Sequence, residues 1–365
     1  MRKTGNANLP LHPGHCPAWL FKRMKILGKA ITEAIILEYD QDEFLKRLSN
    51  PFWFQALACV LGFDWHSSGT TTTVLGALKE SINPEETGLA VTGGKGRVSR
   101  RTPHEIKTFA EVFGLPERKI EMLVYSSRMS AKIDNTLLQD GFTLYHHVFV
   151  FTEKGEWCVV QQGMNERTKY ARRYHWLSKH VESFVNEPHE AICSDMKNNF
   201  VLDMTARSSE KSRQISLDLV KDNPEKIKGD ILMLSRKPSQ STLNKWFEKE
   251  KPVILTMPRK INWEALNRAY DIQPKNYEEF VSLPGIGPNT VRALALISDI
   301  IYGKPPSWKD PVKFNYAHGG KDGVPYPVDR HTYDKSIEIL KAAIENAKLG
   351  KKEKLQAIRR LENFI

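Results

Sequence analysis

Residues 142–163 read FTLYHHVFVFTEKGEWCVVQQG. Two runs rich in Val, Phe, Tyr and Trp flank the tetrapeptide EKGE, and Gly155 stands where a tight turn favours a residue without a Cβ. The pattern predicts a β-hairpin. Successive side chains point to opposite faces of a strand. Pairing across EKGE therefore brings His146 or His147 near Gln161 or Gln162, with one of each neighbouring pair on a given face.

Helical patterns lie on both sides of this hairpin. Residues 17–37 carry Leu20, Met24, Leu27, Ile31 and Ile35 on one stripe, with Pro17 near the first turn. A second helical pattern is interrupted at Pro51, and HEIKTFAEVFGL and PERKIEMLVYSSRMS read as further helices. After the hairpin, residues 164–185 read as a basic, partly helical segment. Short helices with polar joints follow from about 208 to 280, and two tail helices flank Gly350. The fold class is α+β. A mixed N-terminal region with a β-hairpin or small sheet (1–215) precedes an all-α C-terminal domain (216–365), though no obvious linker marks the boundary.

The chain has 365 residues and a formal net charge of +11, from 54 Lys and Arg against 43 Asp and Glu. Such an excess favours a polyanion, nucleic acid first, because each neutralised phosphate releases counterions. A solvated basic surface is the plain alternative. Cys16, Cys59, Cys158 and Cys193 are scattered, without C-x-x-C spacing. That fits a reducing, cytoplasmic setting better than a disulfide framework. No apolar run approaches the length of a membrane span.

Residues 276–302 hold the sharpest local motif, centred on LPGIGPNT. Asn276 and Glu279 have capping-box spacing, and Pro284 ends the short helix that they start. Gly285 and Gly287 permit a tight bend, and Pro288 suits the first turn of the next helix. Backbone N–H groups at that helix start favour a phosphate oxygen. Gly285, Ile286, Gly287, Asn289 and Thr290 are the expected contacts to DNA, made to the backbone and so without base specificity.

LPGIGPNTVRALA resembles the helix-hairpin-helix of DNA repair proteins, including glycosylases and nucleases. In glycosylases of that class a V-D-x-H stretch follows, whose aspartate is catalytic. YPVDRHTYD matches it, and the resemblance makes Asp329 a candidate to activate water or to steady an oxocarbenium ion. Loop capping is the alternative role for Asp329. Asn289 stands where lyase-competent members have lysine, so a Schiff-base nucleophile is absent. The whole chain also resembles an uncharacterised family, the domain of unknown function 763. LPLHPGHCPAWLFKRM, DWHSSGTTTT, VVQQGMN, ARRYHWL and HGGKDGVPYPVDR carry that resemblance, which implies no activity.

Other segments offer chemistry. Seven consecutive hydroxyl or glycine residues, Ser67–Thr73, precede an apolar helical segment and either bind phosphate at a helix N-terminus or simply cap it. Lys95, Arg97, Arg100 and Arg101 form a cationic, glycine-containing loop suited to a nucleic-acid backbone. In KYARRYHW, Arg172 and Arg173 are interleaved with Tyr170, Tyr174 and Trp176 and are candidate DNA contacts, or the segment is a helix that buries its rings while the arginines face water. Asp134, Asp140, His146, Glu156 and Gln161 are candidate catalytic groups for metal-activated phosphodiester cleavage. Asp134 and His146 would hold Mg²⁺ or Mn²⁺. The E-x-K of many nucleases is missing, since VVQQGMN stands in its place. The expected function is therefore DNA processing, by a nuclease, a monofunctional glycosylase or a non-catalytic scaffold.

Overall fold

The computed structural model describes residues 16–63, 68–194, 197–235 and 255–312, together with positions 342, 345, 354 and 358. The predicted tail helices and Asp329 lie outside the described residues, apart from those single positions.

The predicted hairpin forms. β3 (Thr143–Thr152) and β4 (Trp157–Asn165) pair antiparallel around residues 153–156, and Gly155 takes φ +80°. They are the centre of a five-stranded antiparallel sheet, not an isolated ribbon. β1 (Leu89–Lys95) pairs with β3, β5 (Tyr170–Leu177) with β4, and β6 (Ala191–Cys193) with β5. A separate two-stranded ladder joins β2 (Leu138–Gln139) and β7 (Leu202–Asp203).

The segment expected to be basic and partly helical is thus strand β5, which corrects the reading of Arg172 and Arg173. Both arginines are fully buried, so neither is a surface contact for DNA. Alternation puts Arg172, Tyr174 and Trp176 on one face and Arg173, His175 and Leu177 on the other. A strand covered on both faces can hold charge only where partners meet it inside the core.

Helices cover both faces. On one face α1 (Ala18–Glu38), α2 (Gln41–Ser49), α3 (Pro51–Val60) and α4 (Ser68–Ser81) share an apolar cluster with Val91, Val148, Val150, Cys158, Val160 and Leu177. Asn50 accounts for the break at Pro51: it ends α2, and its side chain accepts from the N–H groups of Phe52 and Trp53 to start α3. The other face, with Phe149, Phe151, Val159, Tyr174 and Trp176, meets a second cluster. That cluster takes in Ile106 of α6 (Thr102–Val112) and Leu123 and Ile133 of α7 (Glu117–Thr136). A short helix, α5 (Pro84–Thr87), leads into β1.

The second cluster continues into the C-terminal helices. It includes residues of α8 (Glu210–Asp222), α9 (Pro224–Ser235), α10 (Trp263–Ile272), α11 (Tyr277–Ser282) and α12 (Pro288–Ile300). Among the described residues no helix is long and apolar enough to cross a membrane.

Candidate functional site

The sheet is apolar at the end bearing the β3–β4 turn and polar at the other. His146 pairs with Gln162, and His147 with Gln161. Gln162 in turn pairs with Arg173, and Lys95 with His146. The polar residues divide between the two faces.

On the α7 face, Asp134 lies at the centre of a sealed network. One carboxylate oxygen accepts from Gln161 Nε2 and from Trp176 Nε1 (3.1 Å), and the other accepts from His189 Nε2. Gln161 also donates to the Ser130 carbonyl (3.0 Å). Its Oε1 lies 2.7 Å from His147 Nδ1, so that nitrogen carries the proton and His147 Nε2 accepts from Ser127 Oγ (2.9 Å). Burial lowers the pKa of His147 and keeps the ring neutral. The network ties α7 to β3, β4 and β5, and its partners are matched.

Beside it lies a buried ion-pair group. Arg172 makes a bidentate contact to Asp310 (3.0 and 2.8 Å) and also donates to Asp140 (3.0 Å), which accepts from Tyr174 Oη (2.7 Å) as well. Burial opposes the charge of Arg172, but the two carboxylates outweigh it and raise its pKa. Burial raises that of Asp140, with Arg172 offsetting part of the shift. The Arg172 guanidinium carbon lies 4.7 Å from the centre of the Phe142 ring.

The predicted metal pair does not come together. Asp134 belongs to the α7 face and His146 to the α4 face, with the sheet between them. Glu156 accepts from Ser178 Oγ (2.6 Å) at the turn end of the hairpin, away from both. Gln161 and Asp140 act as core partners. Among the described residues, no three or more His, Cys, Asp or Glu group together to hold a metal ion.

The α4 face is built differently. The register of β3 and β4 slips between Leu144 and His146, so Tyr145 is the extra residue of a β-bulge. Bulges turn side chains away from simple alternation, and here Tyr145 reaches the same face as His146. Gln162 Nε2 donates to Tyr145 Oη and to the Ser68 carbonyl (2.9 Å). Gln162 Oε1 accepts from Thr71 Oγ1 (2.6 Å), which accepts from Arg173 Nη1 (3.3 Å). Arg173 also donates to His175 Nε2 (2.9 Å) and lies 4.3 Å over the Phe54 ring.

His146 stands apart within this group. It is 2% exposed, and neither ring nitrogen has a hydrogen-bond partner. Burial, and then His147 and Lys95, push its pKa down to about 3. Lys95 is exposed and lies 6.0 Å from the Tyr145 ring centre. Gly93 fixes the strand that carries Lys95. Its φ is +89°, and a Cβ there would fall 2.2 Å from the His147 carbonyl oxygen. Glu105 accepts from the Gly93 N–H (2.7 Å), and Lys79 donates to the Gly93 carbonyl (2.7 Å). Arg97, Arg100 and Arg101 follow on an exposed 3-10 turn, Gly96–Arg101.

The motif at 276–302 folds as two helices with a tight turn. Asn276 caps α11 by accepting from the Glu279 N–H (2.8 Å), whereas Glu279 reaches the Lys275 N–H instead of completing the box. Gly285 has φ +87°, and a Cβ there would meet Asn262 Nδ2 at 2.8 Å and Ala265 Cβ at 2.9 Å. Ile286 is a buried plug, and Thr290 is buried too, which removes both side chains from the surface. Gly287 precedes α12, and a Cβ there would meet nothing within 4 Å. Asn289 donates to the Lys260 carbonyl (2.9 Å). Lys132 Nζ donates to the Leu283 carbonyl (3.1 Å), and Gln139 donates to that of Pro288 (2.8 Å).

Sequence reasoning found His146, Gln161 and the hydroxyl run, but missed Tyr145 and Gln162 as partners of that run. It also missed His189 and Asp310. YHHV gives no sign of a bulge, and Thr71 is 91 residues from Gln162.

Fold and sites together define an α+β protein: an antiparallel sheet between helical layers, polar at one end, with a glycine-turn helical hairpin packed against α7 and α8. The chain belongs to the family described as protein of unknown function (DUF763), whose model matches residues 5–328. No curated protein and no solved structure matches it.

Proposed function

We propose that this chain binds DNA through its phosphate backbone, at the turn between α11 and α12. The observation that carries this reading is the open approach to Gly287 at the start of the 13-residue helix α12. The first N–H groups of a helix have no partner within it. Gly287 supplies no capping side chain and Pro288 has no N–H, so the N–H groups of Asn289 and Thr290 are left for an anion to meet. Pro284 and Gly285 are exposed at the tip, and buried Ile286 holds the tip in place from beneath. Cations flank it: Arg268 donates to the Pro284 carbonyl (3.2 Å), and Arg259 and Lys260 are exposed beside Asn289. The resemblance to the helix-hairpin-helix of DNA repair proteins and the net charge of +11 point the same way.

The proposal covers recognition and not a cleavage mechanism, because Asp134 and His146 occupy opposite faces of the sheet.

The test is anisotropy of a labelled duplex over a range of salt, with Gly287→Asp as the variant. Gly287 has φ −131°, which a side chain tolerates, and aspartate is a favoured N-cap. The variant should melt no lower than the parent, yet bind DNA about tenfold or more weakly, because it sets a carboxylate where phosphate would sit. Unchanged affinity would remove the hairpin from the interface.

A further inference from the structure

His146 is costly to the fold. Buried polar groups are normally hydrogen-bonded, and a buried one without partners calls for an explanation. Here both ring nitrogens are sealed from solvent and unpaired. A neutral imidazole has one N–H and one lone pair, so it can meet a ligand as a donor.

Its neighbours are donors too. Arg173 donates to Thr71, Thr71 to Gln162, and Gln162 to the Tyr145 hydroxyl oxygen. Each group in that chain gives its hydrogen to the next. The Tyr145 hydroxyl meets Ser68 as well as Gln162, and with its oxygen accepting from Gln162 it keeps a proton that it can donate. Lys95 adds an exposed ammonium beside Tyr145. The bulge at Tyr145 and the Gly93 turn bring these groups together. Three donors, one of them charged, suit an anion with several acceptor oxygens and would repel a metal cation.

We propose that Tyr145, His146 and Lys95, backed by the chain from Arg173 through Thr71 and Gln162, form a binding site for a phosphate monoester. This site lies on the α4 face of the sheet, and its assignment is independent of the hairpin reading.

The experiment uses the full chain and two titrations. Inorganic phosphate is followed by calorimetry and by the ring-nitrogen NMR signals of His146. A short single-stranded oligonucleotide is then compared with and without a 5′-phosphate. The expected result is saturable phosphate binding that shifts the His146 signals. Lys95→Met and Tyr145→Phe should each weaken it about tenfold, the loss expected for one hydrogen bond to a charged group. His146→Leu should abolish binding while raising the melting temperature, a pairing of effects that a purely structural histidine would not produce. Preference for the 5′-phosphorylated oligonucleotide would identify a nucleic-acid end as the source of the phosphate, and equal oligonucleotide binding would point to a small phosphorylated molecule. Absence of saturable phosphate binding, or wild-type binding by His146→Leu, overturns the proposal.

Discussion

Lys132 on α7 donates a hydrogen bond of 3.1 Å to the carbonyl of Leu283, the residue that ends α11. The contact reaches from the helix packed on the sheet to the turn of the hairpin. Burial lowers the pKa of Lys132, so the bond forms in a partly dry setting. Lys132→Met keeps most of the aliphatic stem and removes the donor. It should cost about 1 kcal/mol and speed amide exchange at residues 283–287, read by hydrogen exchange.

The two glycines of the turn should respond in opposite ways. Gly285→Ala forces a side chain into a left-handed conformation and against Asn262 and Ala265. A loss of about 2 kcal/mol or more is expected in urea unfolding. Gly287→Ala meets open space and should change stability by less than about 0.5 kcal/mol. Equal losses at both positions would contradict the described turn.

Acid should destabilise the protein earlier than its carboxylates require. His146, His147 and His175 are buried, and burial lowers each pKa, that of His146 to about 3. Between an ordinary histidine value near 6.5 and those lowered values, the unfolded chain binds more protons than the folded one. Stability is therefore full above about pH 6.5 and falls as the pH drops toward 3. Each histidine contributes up to about 1.4 kcal/mol per pH unit. His146→Leu should flatten part of that slope and add about 1–2 kcal/mol at neutral pH, since an unpaired polar ring leaves the core. Urea melts at a series of pH values measure both effects.

Breaking the buried ion pair should cost more than removing it whole. Arg172→Met leaves Asp140 and Asp310 facing each other without their shared cation. A loss of about 3–5 kcal/mol is expected. Adding Asp140→Asn and Asp310→Asn should recover part of it, which a multiple-mutant cycle would show.

Asp134→Asn should act on folding. The carboxylate accepts from Gln161, Trp176 and His189, and an amide offers one acceptor where three donors converge. A loss of about 2–4 kcal/mol is expected in the same assay, from buried donors left unmatched.

How much of this was legible in the sequence depends on the range of the interaction. The hairpin, the helix over Ala18–Glu38, the break at Pro51 and the Asn276 cap are local, and propensity and spacing exposed them. β5 was hidden because its charged residues imitate a surface segment. The reason they are inside is Asp310, 138 residues from Arg172, and Thr71, 102 residues from Arg173. β1 was hidden because AVTGGKG is glycine-rich, and its glycines serve close packing against β3. Period-two alternation brought histidines and glutamines together, but it could not say which helix would cover which face. That assignment separates Asp134 from His146.

The sheet acts as a party wall. One side of β3 and β4 belongs to the core built with α1–α4, the other to a core that reaches α12. A fragment ending near residue 215 would strip Leu219, Phe280, Val291 and Leu294 from the second core. The room shared with α1–α4 stays furnished in such a fragment, and only the room that reaches α12 is left bare.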